Sequence, residues 1–173
     1  MFIKNFDKLA TTPQRKIVLN LIETALSSIQ SENVIDKNIT VSGGTLTIKD
    51  KDLPAGRQAF DLSGFERIFL LGFGKGSAKN SKFIEEKLGE KLTEGYVIDT
   101  NPEEFKKIKF TLGTHPLPSP GNVEFTDSVI KRAKELNLTK KDLIIVVICG
   151  GGSAMLVHPS KVGLEKKIQV EKA

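Results

Sequence analysis

A chain of 173 residues with 39% apolar content is long enough for one domain with a sizeable core and too apolar for a disordered segment. Its 26 lysines and arginines exceed 21 acids, but the formal charge of +5 is spread among glutamates, as at Glu85-Glu86-Lys87. With Tyr96 the sole aromatic besides phenylalanine, no basic stripe interleaves with stacking residues, which argues against nucleic acid and for a small anionic ligand. A single cysteine, Cys149, excludes an internal disulfide and a cysteine-cluster metal site. No apolar run at Met1–Phe6 serves as a signal peptide and none elsewhere approaches ~18 residues, so the reading is a cytoplasmic protein without a membrane span.

Thr12-Pro13 is a helix start, with threonine as the cap and proline at the first helical position. Val18, Leu21, Ile22, Ala25 and Ile29 recur at helical spacing and predict an amphipathic helix over residues 13–30. Two short β-branched runs around Gly43-Gly44 predict a hairpin between Ile39 and Ile48. Residues 50–60, with Pro54, Gly56 and several charges, read as a surface loop. Ile68–Leu71 is then a continuous apolar run closed by glycines, as in a strand buried on both faces. A helix follows from Ser77 to Leu88, ended by Gly89, and a strand at Gly95–Ile98 closed by Asp99. Ile108–Leu112 is a third strand and Gly121–Leu136 a second crossover helix. Leu143–Ile148, entirely apolar, is expected to be the most buried strand of all. Leu164, Ile168 and Val170 are spaced for one more helix within Pro159–Ala173.

This order predicts an α/β fold, a three-layer, mainly parallel, doubly wound (Rossmann-like) sheet preceded by a small N-terminal hairpin. In such sheets ligands bind where strands end and helices begin. Three such places carry unusual residues. Gly72-Phe73-Gly74-Lys75-Gly76-Ser77 combines a sharp backbone turn, N–H groups and a full cation, features that suit an anion. It is neither a Walker A loop, since Phe69 stands where glycine is required, nor a clean dinucleotide fingerprint, since Ser77 replaces the third glycine. A tight turn with a solvated lysine is the plain alternative. Thr114-His115-Pro116-Leu117-Pro118 is a stiff loop that could hold a ligand group through His115, or simply contain a structural histidine. Gly150-Gly151-Gly152-Ser153 offers consecutive N–H donors and a hydroxyl, a nest for carboxylate or phosphate. Cys149 before it reads as a small buried residue, not a nucleophile. Asp99 ends a strand and is available, but its spacing places it in no metal site.

Taken together, in this order and spacing, the three stretches resemble the bacterial-type glycerate 2-kinases, a family also labelled hydroxypyruvate reductase. Many of those relatives have serine where this chain has Cys149. The resemblance implies ATP-dependent phosphorylation of D-glycerate, assisted by Mg2+, in a cleft between this Rossmann-like domain and a second α/β domain. It implies Lys75 as the catalytic cation. Gly74, Gly76, Ser77, His115, Gly150, Gly151, Gly152 and Ser153 would be the substrate- or phosphate-binding groups. Relatives are more than twice as long, so residues 1–173 are expected to be an incomplete N-terminal domain, inactive alone. Two alternatives stay open: a nicotinamide-dependent hydroxypyruvate reductase, for which Asp99 lies 25 residues after Gly74 where a ribose-binding acid would stand, and a non-catalytic domain remnant.

Overall fold

A computed structural model describes residues 1–50, 53–159 and 162–172. Seven α-helices and seven strands lie along them. The first are α1 (Phe6–Leu9), α2 (Pro13–Ser28) and α3 (Ser31–Asn38), then β1 (Ile39–Ser42), β2 (Thr45–Lys49) and β3 (Arg57–Asp61). There follow β4 (Arg67–Phe73), α4 (Ser77–Leu88), β5 (Glu94–Asp99), β6 (Ile108–Leu112) and α5 (Pro120–Glu135). The order ends with β7 (Asp142–Ile148), α6 (Gly152–Met155) and α7 (Leu164–Lys172). The chain divides into two units, Met1–Thr40 with Thr47–Gln58, and Val41–Leu46 with Ala59–Ala173.

In the first unit Thr12 caps α2 as the sequence implies, its hydroxyl accepting the Arg15 N–H at 3.2 Å. The apolar stripe of α2 is nevertheless not a core face, because none of its residues is buried and Leu21 is 65% exposed. Gly43 and Gly44 both have positive φ, 56° and 83°, the conformation a two-residue hairpin turn requires, and β1 and β2 flank them. The expected loop at 50–60 is partly corrected: β3 begins at Arg57 and extends the hairpin into a three-stranded sheet ordered β1-β2-β3. A strand exposed at four of its five positions carries no apolar alternation in its sequence. Lys51 and Asp52 lie outside the described residues, as do Ser160, Lys161 and Ala173 of the last expected helix.

The second unit carries a four-stranded parallel sheet ordered β6-β5-β4-β7. Its winding follows from that order. From β4 the chain crosses through α4 to β5 and β6 on one side, then returns through α5 to β7 on the other. The two crossovers put α4 and α5 on opposite faces: Gly72 lies against Ser81 of α4, while Ile98 packs with Phe125 of α5 and Met155 of α6. That is the three-layer, doubly wound Rossmann-like fold expected. The reversal of strand order falls between β4 and β7, the place where open α/β sheets bind ligands.

One expectation fails. β7, read as the most buried strand, is an edge strand, with Ile144 and Val146 each 47% exposed and Ile148 70% exposed. Six consecutive apolar residues state that both faces should be covered. In the described residues β7 has one neighbour, β4, and α5 leaves beside it an apolar hollow of about 160 Å³ lined by Phe69, Leu71, Tyr96, Val129 and Ile144.

Candidate functional site

Three strand-to-helix turns meet at the carboxyl end of this sheet. β4 and β7 run in register from Arg67 beside Asp142 to Phe73 beside Ile148, so the turns that follow them emerge side by side. The pairing continues past the strands: the Cys149 N–H donates to Phe73 O at 3.0 Å and the Lys75 N–H to Gly150 O at 2.8 Å. Lys75 thus stands on a turn tied by its backbone to the triple glycine, with its side chain exposed. The close fit demands glycine. Gly74 has φ 101°, and a Cβ there would lie 2.3 Å from Cys149 O.

The His115 loop joins the same place from β6. Gly151 has φ 79°, and a Cβ on it would fall 2.4 Å from His115 Cδ2 and 2.5 Å from Nε2, so the imidazole lies directly over the glycine backbone. Residues from the three stretches, Lys75, His115, Gly150 and Gly151, are therefore neighbours in space. Gly152 packs against the Phe73 ring and Ser153 is exposed. The peptide bond between His115 and Pro116 is cis.

The remaining predicted residues have internal partners. The α4 N-cap, Gly76, has φ 91° and no side chain to cap the helix. Asp99, at the end of β5 and fully buried, does so instead: Oδ2 accepts the N–H groups of Gly76 and Ala78 at 2.8 and 2.9 Å. Oδ1 accepts the Thr100 N–H at 2.6 Å. Ser77, also fully buried, donates its hydroxyl to Ile98 O at 3.0 Å. A carboxylate of the protein itself thus fills the N–H nest that the glycines open at the first turn. At Gly150–Ser153 no carboxylate is hydrogen-bonded among the described residues.

Cys149 receives a hydrogen bond from Asn80 Nδ2 at 3.3 Å, and burial pushes its thiol pKa up, which agrees with a structural reading. Among the described residues no three His, Cys, Asp or Glu side chains gather as a metal site. Asp99, the acid at the site, has its oxygens turned to N–H donors, an arrangement that does not fit a magnesium ion.

Sequence reasoning left Asp99 unplaced and passed over Asn122. Asn122 is fully buried and joins the His115 loop to the third turn. The available signal was a small amide three residues after Ser119, in the first turn of the helix that Pro120 opens.

Fold and candidate site define a doubly wound α/β domain with three glycine- or proline-marked turns at one sheet end. The chain belongs to the family described as domain of unknown function DUF4147, whose model matches residues 17–173. It is 31% identical over 160 residues to a glycerate 2-kinase of Picrophilus torridus, covering 91% of this chain and 34% of that protein. A glycerate 2-kinase of Pyrococcus horikoshii is 24% identical over 152 residues, 85% of this chain and 31% of the relative. The chain thus spans about a third of the length of the curated relatives it matches. Among solved structures, a Pyrococcus horikoshii protein superposes with a TM-score of 0.75 at 20% identity, covering 93% of this chain and 35% of the other. A glycerate kinase of Thermotoga maritima does so with 0.66 at 19% identity, over 91% and 33%. At those identities the structural likeness speaks for the fold alone.

Proposed function

We propose that this chain is the N-terminal, Rossmann-like part of a cytoplasmic ATP-dependent glycerate 2-kinase, converting D-glycerate to 2-phosphoglycerate in a cleft completed by a second α/β domain. One observation carries the reading: Lys75, His115 and the triple glycine converge at the switch point of the sheet, and relatives matched over most of the chain are named glycerate 2-kinases.

Phosphoryl transfer needs positioning and charge neutralisation more than covalent help from the protein. The glycerate hydroxyl oxygen forms the new bond to the γ-phosphorus as the bond to the ADP oxygen breaks, and the hydroxyl proton is released. Lys75, a compact cation on a flexible stem, neutralises charge on the moving phosphoryl group or holds the glycerate carboxylate. The N–H groups and hydroxyl of Gly150–Ser153 receive a phosphate or carboxylate. His115 orients a substrate hydroxyl. Gly74, Gly76 and Ser77 serve as the frame that presents Lys75.

A nicotinamide reductase is disfavoured by the position of Asp99. A dinucleotide pyrophosphate would need the N–H groups of Gly76 and Ala78, which Asp99 already holds, and the same acid would be wanted on a ribose.

The test is a chimera in which residues 1–173 replace the aligned third of the Picrophilus torridus protein, assayed with ATP and glycerate and separately with NADH and hydroxypyruvate. Phosphoglycerate formation is expected; hydroxypyruvate reduction without it would overturn the reading. Residues 1–173 alone should be inactive and should self-associate in light scattering, because Ile144, Val146 and Ile148 line an uncovered face beside an unpaired edge. A monodisperse monomer with measurable turnover would make them a minimal enzyme.

A further inference from the structure

We propose that Asn122 is a positioning residue of this site: it locks the His115 loop and the triple-glycine turn into one rigid unit and so sets where the His115 imidazole stands over Gly151. The proposal rests on the glycerate kinase reading for its consequence in catalysis, but not for its geometry.

The amide of Asn122 is used to capacity. Oδ1 accepts the Thr114 N–H at 3.0 Å and the Ser119 hydroxyl at 2.9 Å. Nδ2 donates to Thr114 O at 3.0 Å and to Ala154 O at 2.9 Å. Two acceptor sites and two donors exhaust what an asparagine offers. Both backbone polar groups of Thr114, the residue before His115, are held by this one side chain. The fourth bond reaches the residue after Ser153. Thr114 turns its hydroxyl to Leu117 O at 2.8 Å, closing the loop over the prolines.

The second link runs through the backbone of the same residue. Asn122 O accepts the Thr126 hydroxyl at 3.0 Å, and Thr126 Oγ1 in turn accepts the Val157 N–H at 2.9 Å. The first turns of α5 are therefore bonded to Ala154 within α6 and to Val157 just beyond its end. Asn122, Thr126, Ala154, Met155 and Val157 are all buried, which shields the bonds to Ala154 O and between Thr126 and Val157 from water, while the bonds to the exposed Thr114 and half-buried Ser119 lie nearer the surface. His115 itself makes no side-chain hydrogen bond among the described residues, and its place is set by the loop on either side of it. A substrate hydroxyl oriented by His115 and an anion held by Gly150–Ser153 would keep a fixed separation only while this tie is intact.

The decisive variant is Asn122→Asp, which keeps the shape and the Oδ1 acceptor but sets a carboxylate oxygen against the carbonyls of Thr114 and Ala154. In the chimeric protein, with histidine, glycine, asparagine, threonine and tyrosine isotope-labelled, NMR should find slowly exchanging Asn122 side-chain amide protons and a cross-peak between the His115 ring and Gly151 Hα. In Asn122→Asp the cross-peak should disappear and the Thr114 amide should exchange about tenfold faster, with Tyr96 resonances unchanged. Ser119→Ala, which removes one acceptor bond and leaves both links to Ala154 and Thr114, should keep the cross-peak. A cross-peak that survives Asn122→Asp, or Asn122 amide protons that exchange as freely as a solvated amide, would overturn the proposal; the second needs no variant to fold. In the chimeric kinase Asn122→Asp should lower kcat about tenfold while the KM for ATP moves less than twofold, and an unchanged kcat would also overturn it. A parent chimera without kinase activity would count against the proposed function alone, leaving the NMR result to decide on Asn122.

Discussion

The two glycine-rich turns at the carboxyl ends of β4 and β7 look alike in sequence and differ in what fills them. At the first, Asp99 reaches over from β5 and caps α4 through the N–H groups of Gly76 and Ala78. At the third no acid among the described residues does so, and the turn is bordered by the imidazole of His115 instead. The same local device therefore has two uses. One nest is closed by the protein's own anion and becomes a pedestal for Lys75; the other, on the proposed function, is the one that would take an anion from outside. A glycine-rich strand-to-helix turn indicates that an anion is wanted, without saying whose.

The comparison can be broken most forcibly at the pedestal. Gly74→Ala places a side chain at φ 101° and 2.3 Å from the backbone oxygen of Cys149, where nothing flexible can yield. Strain and overpacking together predict a loss of about 2–6 kcal/mol, read as a lower denaturant midpoint at unchanged m-value. A loss below about 1 kcal/mol would mean the two turns are not pressed together.

Lys75→Ala removes what the pedestal presents. With the side chain exposed, the thermal midpoint should stay put, while turnover of the chimeric kinase with ATP and glycerate falls by about 10²–10³, or 2.7–4 kcal/mol. Near-normal turnover would take Lys75 out of the site.

At the third turn Gly151→Val meets the His115 ring, a side chain that can move, so the fold should lose less than at Gly74, about 1–3 kcal/mol for the φ of 79°. Glycerate affinity should fall further than stability does. If the midpoint drops and the folded fraction binds as before, these glycines serve packing alone.

The mildest test works at the far ends of the same two strands. The Arg67 guanidinium makes two bonds to Asp142, at 2.7 and 2.8 Å, and with the Thr139 N–H holds that carboxyl down at about 2, against an ordinary 3.8. A depressed carboxylate contributes stability above its unfolded pKa and loses it as pH falls through the folded one. Thermal midpoints should therefore decline between about pH 4 and pH 2, and Asp142→Asn should flatten that part of the profile while leaving the His115–Gly151 contact intact.

Much of this architecture is written locally. The capped start of α2, the Gly-Gly hairpin and the apolar runs of β4, β5 and β7 follow from propensity and period, which depend on near neighbours only. So does the location of the candidate site, because three glycine- or proline-marked strand ends in a parallel pattern point to one end of one sheet. Tertiary structure alone decided the rest. It took β7 to an edge, because cover is supplied by other segments and not by the strand that asks for it. It put Asp99 into the nest beneath Lys75 and made Asn122 the tie between two loops. The bonds that decide the last two reach 21 positions from Asp99 to Ala78 and 32 from Asn122 to Ala154. No periodicity records such a pairing; the winding of β4, α4 and β5, and of β6, α5 and β7, brings the partners within hydrogen-bond reach.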